Sequence, residues 1–228
     1  MKNVLYFVMI LVLLCGGCAV SKQAKSVDVS GFLGKDVYAK LQKGKDDQAL
    51  LFYRNEKIDP KKYSKVLIDP VLIYTPKNAS SGEVADQKHL AHNFFRYLNN
   101  ELRQDTPIVT APEPGTVRYQ IAITSAEESN RLLETMSFLP PYGLGISVGK
   151  DFITGKPTGV GEITMEIKAV DAVTGEILGA AVDRRVGGKE FAGIGDTWDD
   201  ANNAMRYWAK RLRYVNCQNA GRANCVQP

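Results

Sequence analysis

Reactive side chains are scarce in this chain: of 228 residues, two are histidine and four are cysteine. His89 and His92 stand three apart on a helical stretch with Asp86 one turn before, but no third ligand follows at a spacing a shared metal would need. The pair reads as solvated helix flank, and no metal site is expected. No Gly-x-Ser-x-Gly elbow occurs, and no cysteine is placed with a histidine for nucleophilic catalysis. The glycines of residues 143–150 have the wrong spacing for a phosphate loop, and Asp151 stands where a magnesium-holding hydroxyl belongs. The glycine-rich residues 187–195 precede a helix start that could cradle an anion, but Asp196, Asp199 and Asp200 oppose one there. No catalytic residue and no cofactor are therefore expected.

Long apolar runs are also missing. The longest, residues 4–14, covers only about 16 Å as a helix at ~1.5 Å per residue, roughly half of a hydrocarbon core about 30 Å thick. Lys2 precedes this run and Gly16, Gly17 and Cys18 follow it, which is the outline of a cleaved export signal rather than a spanning helix. Two glycines before a cysteine resemble the lipobox of bacterial lipoproteins, although Cys15 occupies the place usually held by Leu. The expectation is removal of residues 1–17 and lipidation of Cys18, with a diacylglycerol on sulfur and an N-acyl chain on the new amino terminus. Each buried methylene contributes ~0.8 kcal/mol and one chain binds only marginally, so two or three chains anchor permanently. Ala19, rather than Asp, follows Cys18, so the periplasmic face of the outer membrane is the expected location.

Strong charge of one sign is absent as well. The formal net charge is +4. Residues 19–65 carry ten lysines and one arginine against six acids, whereas residues 66–228 carry seventeen bases against nineteen acids. The body therefore lacks the basic face that nucleic-acid binding needs, and the excess belongs to the segment nearest the anchor. Residues 18–30, rich in Ser and Lys, read as the acylated terminus and a flexible tether that reaches at most about 45 Å when extended.

Once Cys15 leaves and Cys18 is acylated, Cys217 and Cys225 remain as an even pair, read as a disulfide in an oxidising compartment. Free thiols or a metal site are the competing readings, the latter without a nearby histidine. Removing 17 residues leaves 211, enough for one domain over 31–228 that buries about 70% of its unfolded surface.

Element signals are strongest in the second half. Ala91, Phe94, Phe95, Leu98 and Leu102 recur at helical spacing between residues 83 and 103. Val117, Tyr119, Ile121 and Ile123 alternate with polar or small residues, as do Ile163, Met165 and Ile167. Residues 171–175 supply the turn of a hairpin, with the second strand over 176–183. A closing helix carries Trp198, Ala201, Met205, Trp208, Leu212 and Val215 on one stripe, read as core packing, with Thr197 as its N-cap. Before these, residues 31–41 suggest a short helical turn, 50–53 a brief strand, and 66–74 a strand in which Pro70 implies an edge position or a bulge. Asp183 beside Arg184 and Arg185 reads as a strand-end salt bridge. The sum is an α+β domain, a mixed or antiparallel sheet flanked by two amphipathic helices.

Several stretches resemble a Gram-negative lipoprotein family, domain of unknown function 3313: Gly31-Phe32-Leu33, residues 63–71, Gly161-Glu162 with Glu166 and Asp171, Thr174-Gly175-Glu176, Asp183-Arg184-Arg185, and Thr197-Trp198 with Trp208-Ala209. The resemblance implies a periplasmic lipoprotein and carries over no active-site residue. Residues 136–161 remain, where Phe138, Leu139 and Tyr142 sit among prolines and glycines. They are expected either to fold back over the core or to contact a partner or the membrane interface. The functional expectation is a non-enzymatic lipoprotein acting through contacts with another envelope protein in assembly or maintenance. A small-ligand-binding protein or hydrolase is the alternative, to be favoured by a concave pocket with converging polar groups.

Overall fold

The computed structural model describes residues 21–45, 48–74, 81–124, 162–186 and 199–228. Their elements run in the order β1 (Lys22–Gln23), α1 (Lys35–Tyr38), β2 (Gln42–Lys43), β3 (Leu51–Arg54), β4 (Lys65–Ile68), β5 (Leu72–Tyr74), α2 (Ser81–Leu102), β6 (Thr116–Thr124), β7 (Glu162–Asp171), β8 (Ile177–Val186) and α3 (Asp199–Asn219). The strands form one open mixed sheet in the order β2-β3-β8-β7-β6-β4, with β1 also on β8 and β5 also on β6. Among the described strands, β4 and β5 run parallel to their neighbour β6 and the other pairings are antiparallel. The fold is α+β, and among the described residues no helix is long and apolar enough to cross a membrane.

The helices form where the apolar spacing demands it. Leu90, Phe94, Leu98 and Leu102 of α2 are all buried, and each contributes roughly 1.5–3 kcal/mol. They pack against Ala201, Ala204, Met205, Trp208 and Ala209 of α3, where the small alanines let the two axes approach. Phe94 and Trp208 meet with ring centroids 6.0 Å apart. Both helices rest on the face made by Val117, Tyr119, Ile121 and Ile123 of β6 and Ile163, Met165 and Ile167 of β7, the inward half of each alternation.

Pro70 divides the apolar run of residues 66–74 into β4 and β5. Ile68 pairs with Tyr119 and Leu72 with Ala122, so four steps on one chain match three on the other, which is a bulge. The slip turns Leu72 outward, 52% exposed. At the other end of the sheet the β7–β8 turn closes as the sequence predicts. Asp171 Oδ1 accepts from Val173 N at 2.9 Å and Thr174 N at 2.8 Å, and Gly175 takes the positive φ of 74°.

The opposite face of the sheet is covered by the N-terminal arm. Val27, Leu33, Val37, Tyr38 and Leu41 pack on Leu51, Ala180 and Val182 as a second core. Residues 21–30, which composition places in a flexible tether, are held against the sheet and its β8 edge. Lys22 and Gln23 pair with Val186 and Arg185, and Ser21 and Val27 are buried. The physical reason is that β8 is longer than β3, whose rungs end at Val182, so the rest of its edge offers backbone groups that β1 satisfies.

Candidate functional site

Among the described residues, the two long helices leave part of the sheet uncovered. On the helix-bearing face β8 presents Gly179 and Ala181 and β3 presents Phe52, opposite Ala181. With no bulk on Gly179 and Ala181 and, among the described residues, no helix above them, a groove of about 580 Å³ opens between this strip and the flank of α3. Phe52 and Arg54 form one wall, and Tyr207, Arg211 and Leu212 the other.

At one end of the groove lies Asp183, 3% exposed. Its Oδ1 accepts from Gln23 Nε2 at 2.6 Å and Leu50 N at 3.2 Å, and its Oδ2 accepts from Trp208 Nε1 at 2.7 Å. All three donors are neutral. Gln23 Nε2 also reaches the carbonyl of Gln48 at 2.8 Å, so one carboxylate ties β1, the chain before β3, and α3 together. The salt bridge expected of Asp183 with its neighbours does not form, because alternation along β8 sends Arg184 to the other face. Arg185, two residues on, instead donates from Nε to Ser21 Oγ at 2.9 Å and from Nη2 to the Ser21 carbonyl, with its guanidinium 3.7 Å from the centre of the Tyr207 ring.

The other end of the groove is a polar network under the end of α3. Tyr119 Oη donates to Asn216 Oδ1 at 3.3 Å, and Asn216 Nδ2 donates to Thr106 Oγ1 at 2.8 Å. Burial pushes the Tyr119 hydroxyl above its ordinary value. Tyr63 donates to Asp171 Oδ2 at 3.0 Å, and burial, followed by that bond, pushes its hydroxyl up to about 12.

A second buried acid lies across the sheet from the groove. Glu166 on β7 is fully buried, with Oε2 2.5 Å from the donating Tyr38 hydroxyl and Oε1 2.6 Å from Ser30 N. Burial pushes its carboxyl above the usual range against the pull of those bonds. Tyr38 Oη also accepts from Gly31 N at 2.8 Å and Leu33 N at 3.2 Å. This constellation fastens the arm to the sheet.

Of the residues singled out by sequence, Cys217 and Cys225 form the disulfide, with Cα atoms 5.7 Å apart. Arg222 within its loop donates to the Asp105 carbonyl and to Thr106 Oγ1, which holds the C-terminal segment against the end of α2. Trp208 is buried as core, as its stripe implies. His89 and His92 are exposed on α2, away from the groove. No group of three potential metal ligands occurs among the described residues. Cys18, Phe138, Leu139 and Tyr142 lie outside the described residues, as do Trp198, Thr197 and the glycine runs 143–150 and 187–195. The groove itself was not read from sequence. Its signal is Gly179 and Ala181 at inward positions of a strand, with Asp183 next in the same alternation.

An α+β domain with an open mixed sheet, two long helices on one face and a groove beside them is the class this structure defines. The chain belongs to the family described as protein of unknown function (DUF3313), which matches residues 28–212. No curated protein matches it. Among solved structures, the PelC dodecamer from Paraburkholderia phytofirmans is similar at 10% identity over 76% of this chain and 96% of that one, with a TM-score of 0.38. A DUF4136 family protein from Bacteroides thetaiotaomicron is similar at 9% identity over 71% of this chain and 95% of that one, with a TM-score of 0.32. Likenesses of that size carry no functional argument.

Proposed function

We propose that this chain is a non-enzymatic lipoprotein, anchored through Cys18 on the periplasmic face of the outer membrane, that works by binding another envelope protein in the groove beside α3. The observation that carries the binding reading is the lining: Phe52 and Arg54 of β3 and Tyr207 and Arg211 of α3 line the groove together with the small residues Gly179 and Ala181. Aromatic and arginine side chains are the groups that dominate binding hot spots. The anchor reading is supported by Lys2, the apolar residues 4–14 and Gly16-Gly17-Cys18, and the Cys217–Cys225 disulfide suits an oxidising compartment. Phe138, Leu139 and Tyr142 are proposed as a further contact with the partner.

A second reading has one observation in its favour. The groove volume of about 580 Å³ falls within the 300–1,000 Å³ of small-molecule sites. A photo-crosslinking residue placed at Arg211 in the full-length protein, activated in intact cells, separates the two. One discrete protein adduct, lost in a Phe52→Ala background, supports the protein partner. An adduct of only a few hundred daltons moves the assignment to a small ligand, and the absence of any groove-dependent adduct refutes both.

A further inference from the structure

The anchored chain has almost no slack. Ser21 is 5% exposed, gripped at both its hydroxyl and its carbonyl by Arg185, whose guanidinium is pinned on Tyr207 of α3. The next residues continue the hold. Lys22 and Gln23 pair with β8, the Gln23 side chain reaches Asp183, and Ala24 N donates to the Arg184 carbonyl at 2.8 Å. Between Cys18 and Ser21 stand only Ala19 and Val20. Three Cα–Cα steps of about 3.8 Å span at most about 11 Å. A headgroup layer is itself about 5–8 Å deep on each side of the hydrocarbon.

We infer that the protein is seated on the bilayer by one defined end of its sheet, with a phospholipid headgroup surface as the partner of that end. This rests on the acylation of Cys18 proposed above. The strand pairings identify the end: Lys22 and Glu162 both lie opposite Val186, and Tyr74 pairs with Thr124, which pairs with Thr164. Lys22 is exposed there and supplies a cation for anionic headgroups. The opposite end carries the residue 171–175 turn. Nine steps from Glu162 to Asp171 at about 3.3 Å each put that turn roughly 30 Å from the seated end. The strands therefore stand up from the membrane. The Asp183 end of the groove lies nearer the lipid, and its Asn216 end points toward the periplasm.

The test uses full-length protein, acylation verified by intact mass, in vesicles of phosphatidylethanolamine and phosphatidylglycerol containing a headgroup-level nitroxide quencher. A fluorophore is attached at Lys22→Cys in one preparation and at Val173→Cys in another. Quenching several-fold stronger at position 22 than at 173 is expected. A twelve-residue Gly/Ser insert between Val20 and Ser21 should remove most of that difference, because such a linker has an r.m.s. reach near 20 Å. Equal quenching at the two positions in acylated protein overturns the seating alone. An intact mass without acyl chains on Cys18 overturns the anchor, and the seating with it.

Discussion

Replacing Tyr38 by Phe removes one oxygen and keeps the ring. That oxygen donates to Glu166 Oε2 and accepts from Gly31 N and Leu33 N. A hydrogen bond to a charged group contributes ~1.5–3 kcal/mol net, and a buried N–H left without a partner costs about 1–3 kcal/mol. Allowing for partial relaxation at the arm, a loss of about 4 kcal/mol is expected, a large share of the ~5–15 kcal/mol typical of a domain. The pH dependence gives a second handle. Burial places the folded pKa of Glu166 above its unfolded value of about 4.3, so its contribution to stability is complete below that pH and is lost as pH rises through the folded pKa. The Tyr38 bond favours the ionised form; without it the folded pKa rises further and the loss deepens. Urea denaturation of wild type and Tyr38→Phe should therefore give curves of stability against pH that diverge as pH rises above the unfolded pKa. Hydrogen exchange at the amides of residues 31 and 33 should quicken. A loss below about 1 kcal/mol, or curves that stay parallel, would refute the role given to this constellation.

Trp208→Phe keeps most of the core ring but removes one of three donors to the buried Asp183 carboxylate, and a loss of about 2 kcal/mol in urea denaturation is expected. Cys225→Ser opens the eight-residue separation of the disulfide and should lower stability by about 2.5 kcal/mol, read as a drop in Tm. Asp105 is held below the usual carboxylate range, first by its hydrogen bond from Arg213. Its contribution is present above the unfolded pKa of about 3.9 and lost as pH falls through the lower folded value, so Arg213→Gln should flatten the acid limb of the stability curve. Because this pair is partly exposed, the effect should stay below about 1 kcal/mol at neutral pH. Ser at positions 138, 139 and 142 together should reduce partner crosslinking without changing Tm.

The parts of the fold legible in sequence are those where one element carries its own period. The α2 stripe, the β6 alternation and the turn at Asp171 each state a pattern within a dozen residues. Pro70 announced a break that the bulge between β4 and β5 realises. The arm was not legible, because its Ser- and Lys-rich composition is that of a solvated stalk, and two rungs of pairing are too few to show a period. What buries Ser21 is Arg185, far along the chain. Asp183 was legible as a charge but not as a partner of Trp208, since adjacency in sequence suggested arginines that the strand's alternation separates. The groove lay beyond reach for a different reason. It arises where, among the described residues, no helix lies over β3 and β8, and no local pattern records what a distant element fails to cover.

The two-rung pairing of β1 has a bearing on how this protein should be handled. A short strand such as β1, paired by two rungs to an edge of β8 that no other described strand fills, is the element most readily exchanged between copies, since another molecule's arm can offer the same rungs and the same Ser21 clasp for Arg185. Trimming the chain past Gln23 would leave Arg185 and Val186 with bare backbone groups along that edge. Preparations cut there should be prone to strand-swapped or edge-joined aggregates, while those beginning at or before Ser21 keep the edge closed within a single molecule.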